Sequence, residues 1–452
     1  MDDSKKDDME KMTNIEQTPS AFDWLTIGDK FAEEKQWGRA LYCYNRITVP
    51  GSLPHTKRIA ALVNIGTPDA MMSAGDLAWK LYIDYPLDAN AVWARGSVFM
   101  AACKFEVASD LFLQAHMMDN SESRHGCDAA LALQQCGRFE EAKRMFEQVI
   151  ALHPLKIEVR TWYGMLLMLM GDLTNGWREY ESRVFHDTPV PVNGKPVWNG
   201  EPLAGKTIAV FQEQGVGDTV QFIQFARWLK GKGAKVIVVV RDNMYRLALA
   251  CDGVDAVYTN STVLPDYDYH IRMMSLGRLA HEAGFYPVAG LHLGPYLKVA
   301  PIQRGAAFRV GLCWQGGKMH AQDKFRSMPF ETFAPILSNP GLFVNLCDDK
   351  RDRLQPCDPT DVYSLAQFVQ SCDLVVTVDT AVAHIAGALG VKCFVMLPFA
   401  PDWRWGLTTP ATPWYSSVSL YRCKRPLEWG PVIEIVKGDV KRCSASTACQ
   451  QT

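Results

Sequence analysis

The chain has 452 residues, 48% of them apolar and 21% charged, with a formal charge of −2. That is the balance of a folded protein of about three domains at roughly 150 residues each; it excludes a disordered chain and gives no electrostatic case for nucleic acid. Thirteen cysteines without a C-x-x-C pair predict free thiols in a reducing compartment, neither a disulfide frame nor a zinc site. The opening MDDSKKDDMEK lacks the apolar core of a signal peptide, and the longest apolar run, in TWYGMLLMLMGDL, is shorter than the roughly 20 residues that span a bilayer. A cytoplasmic protein without a membrane span is expected.

Residues 20–185 carry a repeat. Small residues stand at Ala40, Ala74, Ala108, Ala142 and Gly176, each 34 residues after the last. Four residues beyond them stand Tyr44, Ala78, Phe112, Phe146 and Tyr180, and twelve before them Gly28, Leu62, Gly96, Ala130 and Gly164. Pro86 and Pro154 close two of the units. The pattern resembles the tetratricopeptide repeat, W-x2-L-G-x2-Y…A-x3-F…P. The first unit supplies Trp24, Ile27, Gly28, Phe31, Ala40 and Tyr44; the second is degenerate. About five units of two antiparallel helices are expected. No unit buries its own face, so units stack into a solenoid with a concave groove. Such a groove would recruit a protein or glycan acceptor or a partner; scaffolding, or self-association into a homo-oligomer, is the other reading. Asn45, Asn64, Asn90, Asn120 and Asn175 fall at different repeat positions, so no asparagine ladder for clamping peptide backbone is expected.

Residues 186–205, rich in Pro and Gly, break the period and are expected to be a linker. Beyond it, short β-branched runs alternate with helical ones, which predicts parallel β-α-β units. One set covers 206–300: TIAVF, a helix over 218–230, KVIVVV, DAVYTN and DYHIRM. A second covers 308–423: RVGLCW, LFVNLC, DLVVTV and KCFVML. The stretch 424–452 reads as a closing helix, then a disordered Ser/Cys/Gln tail. The expected fold is α plus α/β, a helical solenoid followed by two Rossmann-like halves with a cleft between them.

Four segments carry the chemistry. After TIAVF comes EQGVGD, a Gly-x-Gly turn that looks like a phosphate cradle, yet Asp218 at the helix start would repel phosphate. After DLVVTV come Asp379, Thr380 and a helix of small residues beginning at Ala381. Free backbone N–H groups and the positive helix end there suit a diphosphate, Thr380 adds a hydroxyl, and Asp379 suits a sugar hydroxyl. Asp379 as a mere helix N-cap and His384 as a satisfied core histidine stand beside that reading. After RVGLCW comes a polar loop with Gln315, Lys318, His320, Lys324 and Arg326, at a strand edge where open α/β sheets bind ligands. Arg326 is the expected diphosphate cation and Lys324 the substitute. In PDWRW, Trp403 and Trp405 could line the cleft or pack in the core, and Arg404 needs an anionic partner if buried.

Together these motifs resemble family 9 glycosyltransferases, the heptosyltransferase-like group, and within it the subgroup with N-terminal tetratricopeptide repeats. The shared segments are Glu213–Phe222, Trp314-Gln315-Gly316, R-S-x-P at Arg326–Pro329, V-D-T-A-x-A-H-x-A-G-A-L-G at Val378–Gly390, and Pro398–Trp405. Gly317 and Lys324 depart from the usual Asn and Arg. The resemblance implies a GT-B fold and inverting transfer from a nucleotide-diphosphate sugar to an acceptor hydroxyl, with no cofactor and no bound metal. It implies Asp218 as the catalytic base, with Gly215, Gly217 and Gln221 on the acceptor side. Gln315, Lys324, Arg326, Asp379, Thr380, Ala381, His384 and Arg404 would bind the nucleotide sugar. Asp218 as an N-cap for a helix from 219 is the alternative, and Glu213 and His320 are the substitute bases. A non-catalytic repeat adaptor with a sugar-nucleotide-binding domain is the alternative function.

Overall fold

The computed structural model describes residues 20–185, 194–285, 294–317, 323–347, 349, 351 and 354–450. Two units divide the chain between Val159 and Arg160, inside the helix Ile157–Leu169.

Among the described residues the first unit holds four helical pairs: Ala21–Glu33 with Trp37–Asn45, Ser52–Ile65 with Pro68–Asp84, Ala89–Ala101 with Phe105–Met118, and Ser123–Gln135 with Phe139–Leu152. The repeat spacing has a direct steric cause. A Cβ on Gly28 would come within 2.5 Å of the Tyr44 ring, and one on Gly96 within 2.8 Å of the Phe112 ring. The glycine of one helix makes room for the aromatic of the next. Ala40, Ala74, Ala108 and Ala142 are fully buried where the paired helices touch.

The second unit opens with the rest of Ile157–Leu169, then the helix Leu173–Tyr180 and a 3-10 turn, Glu181–Phe185. So the fifth expected pair lies with the α/β part of the chain and not with the other four. Two parallel sheets follow. The first has β1 (Thr207–Phe211), β2 (Lys235–Val240), β3 (Ala256–Thr259) and β4 (Tyr269–Arg272) in the order β3-β2-β1-β4. The second has β5 (Arg309–Cys313), β6 (Leu342–Asn345), β7 (Leu374–Val378), β8 (Cys393–Leu397) and β9 (Val418–Arg422) in the order β6-β5-β7-β8-β9. β5, β7 and β8 are buried along their whole length, as parallel strands covered on both faces must be. Solenoid helices followed by two Rossmann-like halves is the expected architecture.

Three details differ from expectation. The helix after β1 is broken: Val216–Phe222, a 3-10 turn at Ile223–Phe225, then Ala226–Gly231. The closing helix runs on through the expected disordered tail, from Gly430 to Gln450, and its first half is anchored by Val432, Ile433, Val436 and Val440, which recur at helical spacing and bury against the second sheet's core. Of the expected linker, 186–193 lie outside the described residues. The part that follows is pinned: Val197 bridges His270 beside β4, and buried Trp198 meets the Trp228 ring edge-on at 5.6 Å.

Each sheet has one point where its strand order reverses. In the first, β1 is followed outward by β2 on one side and joined by β4 on the other. In the second, β5 is followed by β6 on one side and joined by β7 on the other. At such points the connecting loops diverge and leave a crevice beyond the strands' C-terminal ends.

Candidate functional site

The motifs after β1, β5 and β7 stand at these two reversals, and PDWRW follows the neighbouring β8. After β1, Gly215 is the N-cap of the helix Val216–Phe222 and Asp218 is its third residue. The helix therefore starts three residues earlier than the N-cap reading of Asp218 required. Asp218 still caps from inside the first turn, its Oδ2 accepting the Gly215 N–H at 2.8 Å. The other oxygen faces the opposite half. Asp218 Oδ1 accepts from Arg404 Nη2, whose chain segment Trp403–Trp405 is a 3-10 turn after β8. Arg404 also donates to Gln221 Oε1 at 2.7 Å and to Asp402 Oδ1 at 2.8 Å, and its guanidinium lies 4.5 Å from the Trp403 ring centroid. Burial opposes its charge, but the Asp402 and Asp218 carboxylates outweigh that and hold it above the usual guanidinium range.

After β7 comes the helix Ala381–Leu389, capped by Thr380 and closed by Gly390 at φ 75°. The cap is Thr380, not Asp379, and its side chain makes no capping bond. The Thr380 hydroxyl lies 3.0 Å from that of Thr377 and 3.8 Å from Cys313 Sγ. The small residues serve close packing: a Cβ on Gly387 would fall 2.3 Å from the Tyr415 ring. They also admit the other half, since a Cβ on Gly217 would lie 3.0 Å from His384 Cδ2 and 3.5 Å from Ala381 Cα. His384 is buried, stacks on Trp405 at 5.2 Å, and meets the Tyr415 hydroxyl at 3.0 Å through Nδ1. Burial first, then the Arg404 charge, push its pKa down to about 3, so the ring is neutral near pH 7. Trp403 and Trp405 are themselves buried.

The loop after β5 is tied to the helix Asp323–Arg326. Gly316 N–H donates to Ser327 Oγ at 2.8 Å, and Ser327 Oγ to Asp323 Oδ1 at 2.8 Å. Arg326 Nε is 3.4 Å from Asp323 Oδ1. The Arg326 guanidinium and the Asp323 carboxylate pack directly over Gly316, where a Cβ would stand 2.7 Å from Arg326 Nη2 and from Asp323 Oδ1. Gln315 is half-buried, and its carbonyl accepts from Cys313 Sγ at 3.4 Å. The Lys324 amine lies 5.0 Å from the Phe325 ring centroid. Lys318 and His320 fall outside the described residues. Glu213 is enclosed in a buried ion pair with Arg183 at 2.9 Å.

Asp379 is buried, and burial, reinforced by the Asp402 charge, pushes its carboxyl up to about 6; Arg326 and Arg404 pull the other way. The folded pKa lies above the unfolded 3.8, so the native state holds that proton more tightly. Its contribution to stability is fully present below about pH 3.8 and lost as pH rises through about 6. Asp379→Asn cannot ionise. It is expected to exceed the wild type in stability near pH 8 by about 3 kcal/mol at most, with the gap closing towards pH 4. Melting curves of both proteins across that range check it; an offset that does not change with pH would remove ionisation of Asp379 as the cause.

The structure thus brings Asp218, Gly217, Gln221, Ala381, His384 and Arg404 together, with Asp379 and Arg326 close enough for their charges to interact. Sequence reasoning assigned no role to Asp402 or Tyr415. Asp402 lay inside a motif already noticed; Tyr415 carries no local signal. Among the described residues, no helix is long and apolar enough to cross a membrane.

No family model matches the chain. The chain is similar to the protein FlbA of Caulobacter vibrioides, 26% identical over 329 residues, 62% of this chain and 54% of that protein. It therefore spans about half the length of the curated relative it matches. Among solved structures it is similar to a glycosyl transferase family 9 protein from Veillonella parvula (10% identity, 55% of this chain and 99% of that one, TM-score 0.41). It is also similar to a thermophilic TPR protein of Thermus thermophilus (14% identity, 37% and 91%, TM-score 0.34).

Proposed function

We propose that the chain is an inverting, metal-independent glycosyltransferase that moves a sugar from a nucleotide-diphosphate sugar to an acceptor hydroxyl in the cytoplasm, with the repeats recruiting the acceptor or a partner. The observation that carries this reading is the meeting of two strand-order reversals at one place, one bringing a carboxylate and the other a small-residue helix start. In this reading Asp218 takes the proton of the acceptor hydroxyl as its oxygen attacks the anomeric carbon. The bond to the diphosphate breaks on the opposite side. Negative charge develops on the leaving nucleotide, and Arg326 with the free N–H groups at Ala381 stabilises it. Thr380 and a partly protonated Asp379 hold hydroxyls of the donor. Arg404 orients Asp218 instead of touching phosphate, because its guanidinium is already taken by Asp218, Gln221 and Asp402.

The same ion pair favours a second reading. Both Asp218 oxygens are engaged, as suits a latch between the halves of a non-catalytic adaptor that only binds nucleotide sugar. One experiment separates the readings. The full-length protein is melted with free nucleotides and then incubated with nucleoside-diphosphate sugars, with and without acceptor hydroxyls. A ligand at 100 times its dissociation constant contributes about 2.7 kcal/mol of stability. A stabilising nucleotide together with its release from the matching sugar supports transfer; stabilisation without release supports the adaptor; neither would sink both. Arg326→Ala is expected to weaken nucleoside-diphosphate binding by about 1.5–3 kcal/mol, the worth of a charge-assisted hydrogen bond. An unchanged binding titration would take Arg326 out of the site.

A further inference from the structure

The turn that presents Asp218 is held by residues that precede both sheets. Gln214, immediately before the N-cap, has φ 59°, a left-handed conformation that costs a non-glycine residue energy and persists only where its surroundings impose it. Its side-chain amide meets the Tyr180 hydroxyl, with Nε2 at 2.9 Å and Oε1 at 3.1 Å. Its neighbour Glu213 is gripped on both oxygens by Arg183, with Nη2 to Oε1 at 2.9 Å and Nε to Oε2 at 3.2 Å. Both side chains of that pair are almost wholly buried, at 2% and 3% exposure. Glu213 Oε1 also accepts the Met274 N–H at 2.7 Å, and Arg183 reaches the Ser275 hydroxyl at 2.8 Å. The pair thus ties the turn after β1 to the turn after β4. The helix Leu173–Tyr180 also reaches the other half. Tyr180 lies 6.1 Å from the ring of Trp403, on which the Arg404 guanidinium rests.

We propose that Tyr180 and Arg183, from the helical segment Leu173–Phe185, are positioning residues for the base. They hold Glu213 and Gln214 in the strained turn that aims Asp218 at Arg404 and the acceptor. The proposal rests on the transferase reading for what Asp218 does, but the turn's geometry can be tested apart from it. Arg183→Ala would take the guanidinium that grips both oxygens from buried Glu213 and endanger the fold, so the variant of choice is Tyr180→Phe in the full-length chain. It keeps the ring and its packing against Trp403 and removes only the hydroxyl.

Two readouts are taken on wild type and Tyr180→Phe. The first is hydrogen–deuterium exchange of peptides covering residues 212–219, which include the Gly215 amide bonded to Asp218. The second is nucleotide release from whichever nucleoside-diphosphate sugar the wild type uses. Exchange at 212–219 is expected to speed up about three- to tenfold and kcat to fall by a similar factor, as for one lost hydrogen bond. KM for the nucleotide sugar and exchange elsewhere should stay unchanged. A purely structural role of Tyr180 would alter neither local exchange nor kcat, since the ring remains. Wild-type exchange at 212–219 in the variant overturns the proposal, and so does faster exchange with unaltered kcat. A wild type that releases no nucleotide from any sugar would sink the transferase reading alone, and faster local exchange would still support the hold on the turn.

Discussion

Asp218→Asn is expected to lower turnover by roughly 10²- to 10⁴-fold, the usual worth of general-base help, while nucleotide affinity stays near wild type. Asparagine keeps the cap, because its side-chain oxygen can still accept the Gly215 N–H. It cannot take a proton. It also cannot answer the charge of Arg404, whose side chain is only 9% exposed, although Asp402 remains on the same guanidinium. The loss of one charge-assisted bond should cost about 1.5–3 kcal/mol of stability, a drop of a few degrees in melting temperature. The control is Arg404→Gln, which removes the same ion pair but leaves the carboxylate. If Asp218 is the base, Arg404→Gln loses at least as much stability, since it also forfeits the bonds to Gln221 and Asp402, but only Asp218→Asn loses turnover on the larger scale. Near wild-type turnover in Asp218→Asn would leave Asp218 as a cap and a latch. The base would then have to be sought elsewhere, and not at Glu213, which Arg183 and Met274 enclose.

What could be read from the sequence follows the range of the forces involved. The repeat was legible because each Gly–aromatic contact recurs at a fixed spacing, as Gly28 with Tyr44 and Gly96 with Phe112. The strands were legible because burial on both faces demands unbroken runs such as KVIVVV and LVVTV. The cap at Gly215 was not, because glycine offers no side-chain acceptor and the capping group is Asp218, three residues on. The occupation of Arg404 was even less accessible. A buried arginine announces that it needs anions, but its partners Gln221 and Asp218 lie 183 and 186 residues away. Only the packing of the Val216–Phe222 helix against Ala381–Leu389 brings them near. Asp379 and Thr380 were legible as a strand end followed by small residues. That Thr380 and not Asp379 occupies the cap depends on a backbone turn that either residue type accepts.

Removing residues 1–153, so that the chain begins at Pro154, is expected to leave a folded protein that binds nucleotide as well as the full chain but transfers poorly to its natural acceptor. Removing residues 1–185 is expected to abolish folding. The division of the chain at Val159 leaves the helices that follow it with the α/β unit, whatever the repeat spacing implied. The longer deletion would strip three side chains from that unit. Trp177 is fully buried and meets Phe222 at 6.0 Å and Trp403 at 5.3 Å. Deleting a buried side chain of that size typically costs about 3–5 kcal/mol. Arg183 grips both oxygens of Glu213, and removing one partner of a buried pair costs up to about 3–5 kcal/mol more, less what Arg272 at 3.9 Å retains. The sum rivals the roughly 5–15 kcal/mol by which a whole domain is stable, even before Tyr180 is counted. Melting curves, nucleotide titrations and transfer assays on both truncations check this. A Δ1–185 protein that melts cooperatively near the full-chain temperature would show that the helical segment Leu173–Phe185 is dispensable to the α/β unit. A Δ1–153 protein that modifies its acceptor at the full-length rate would show that the repeats recruit nothing the reaction needs.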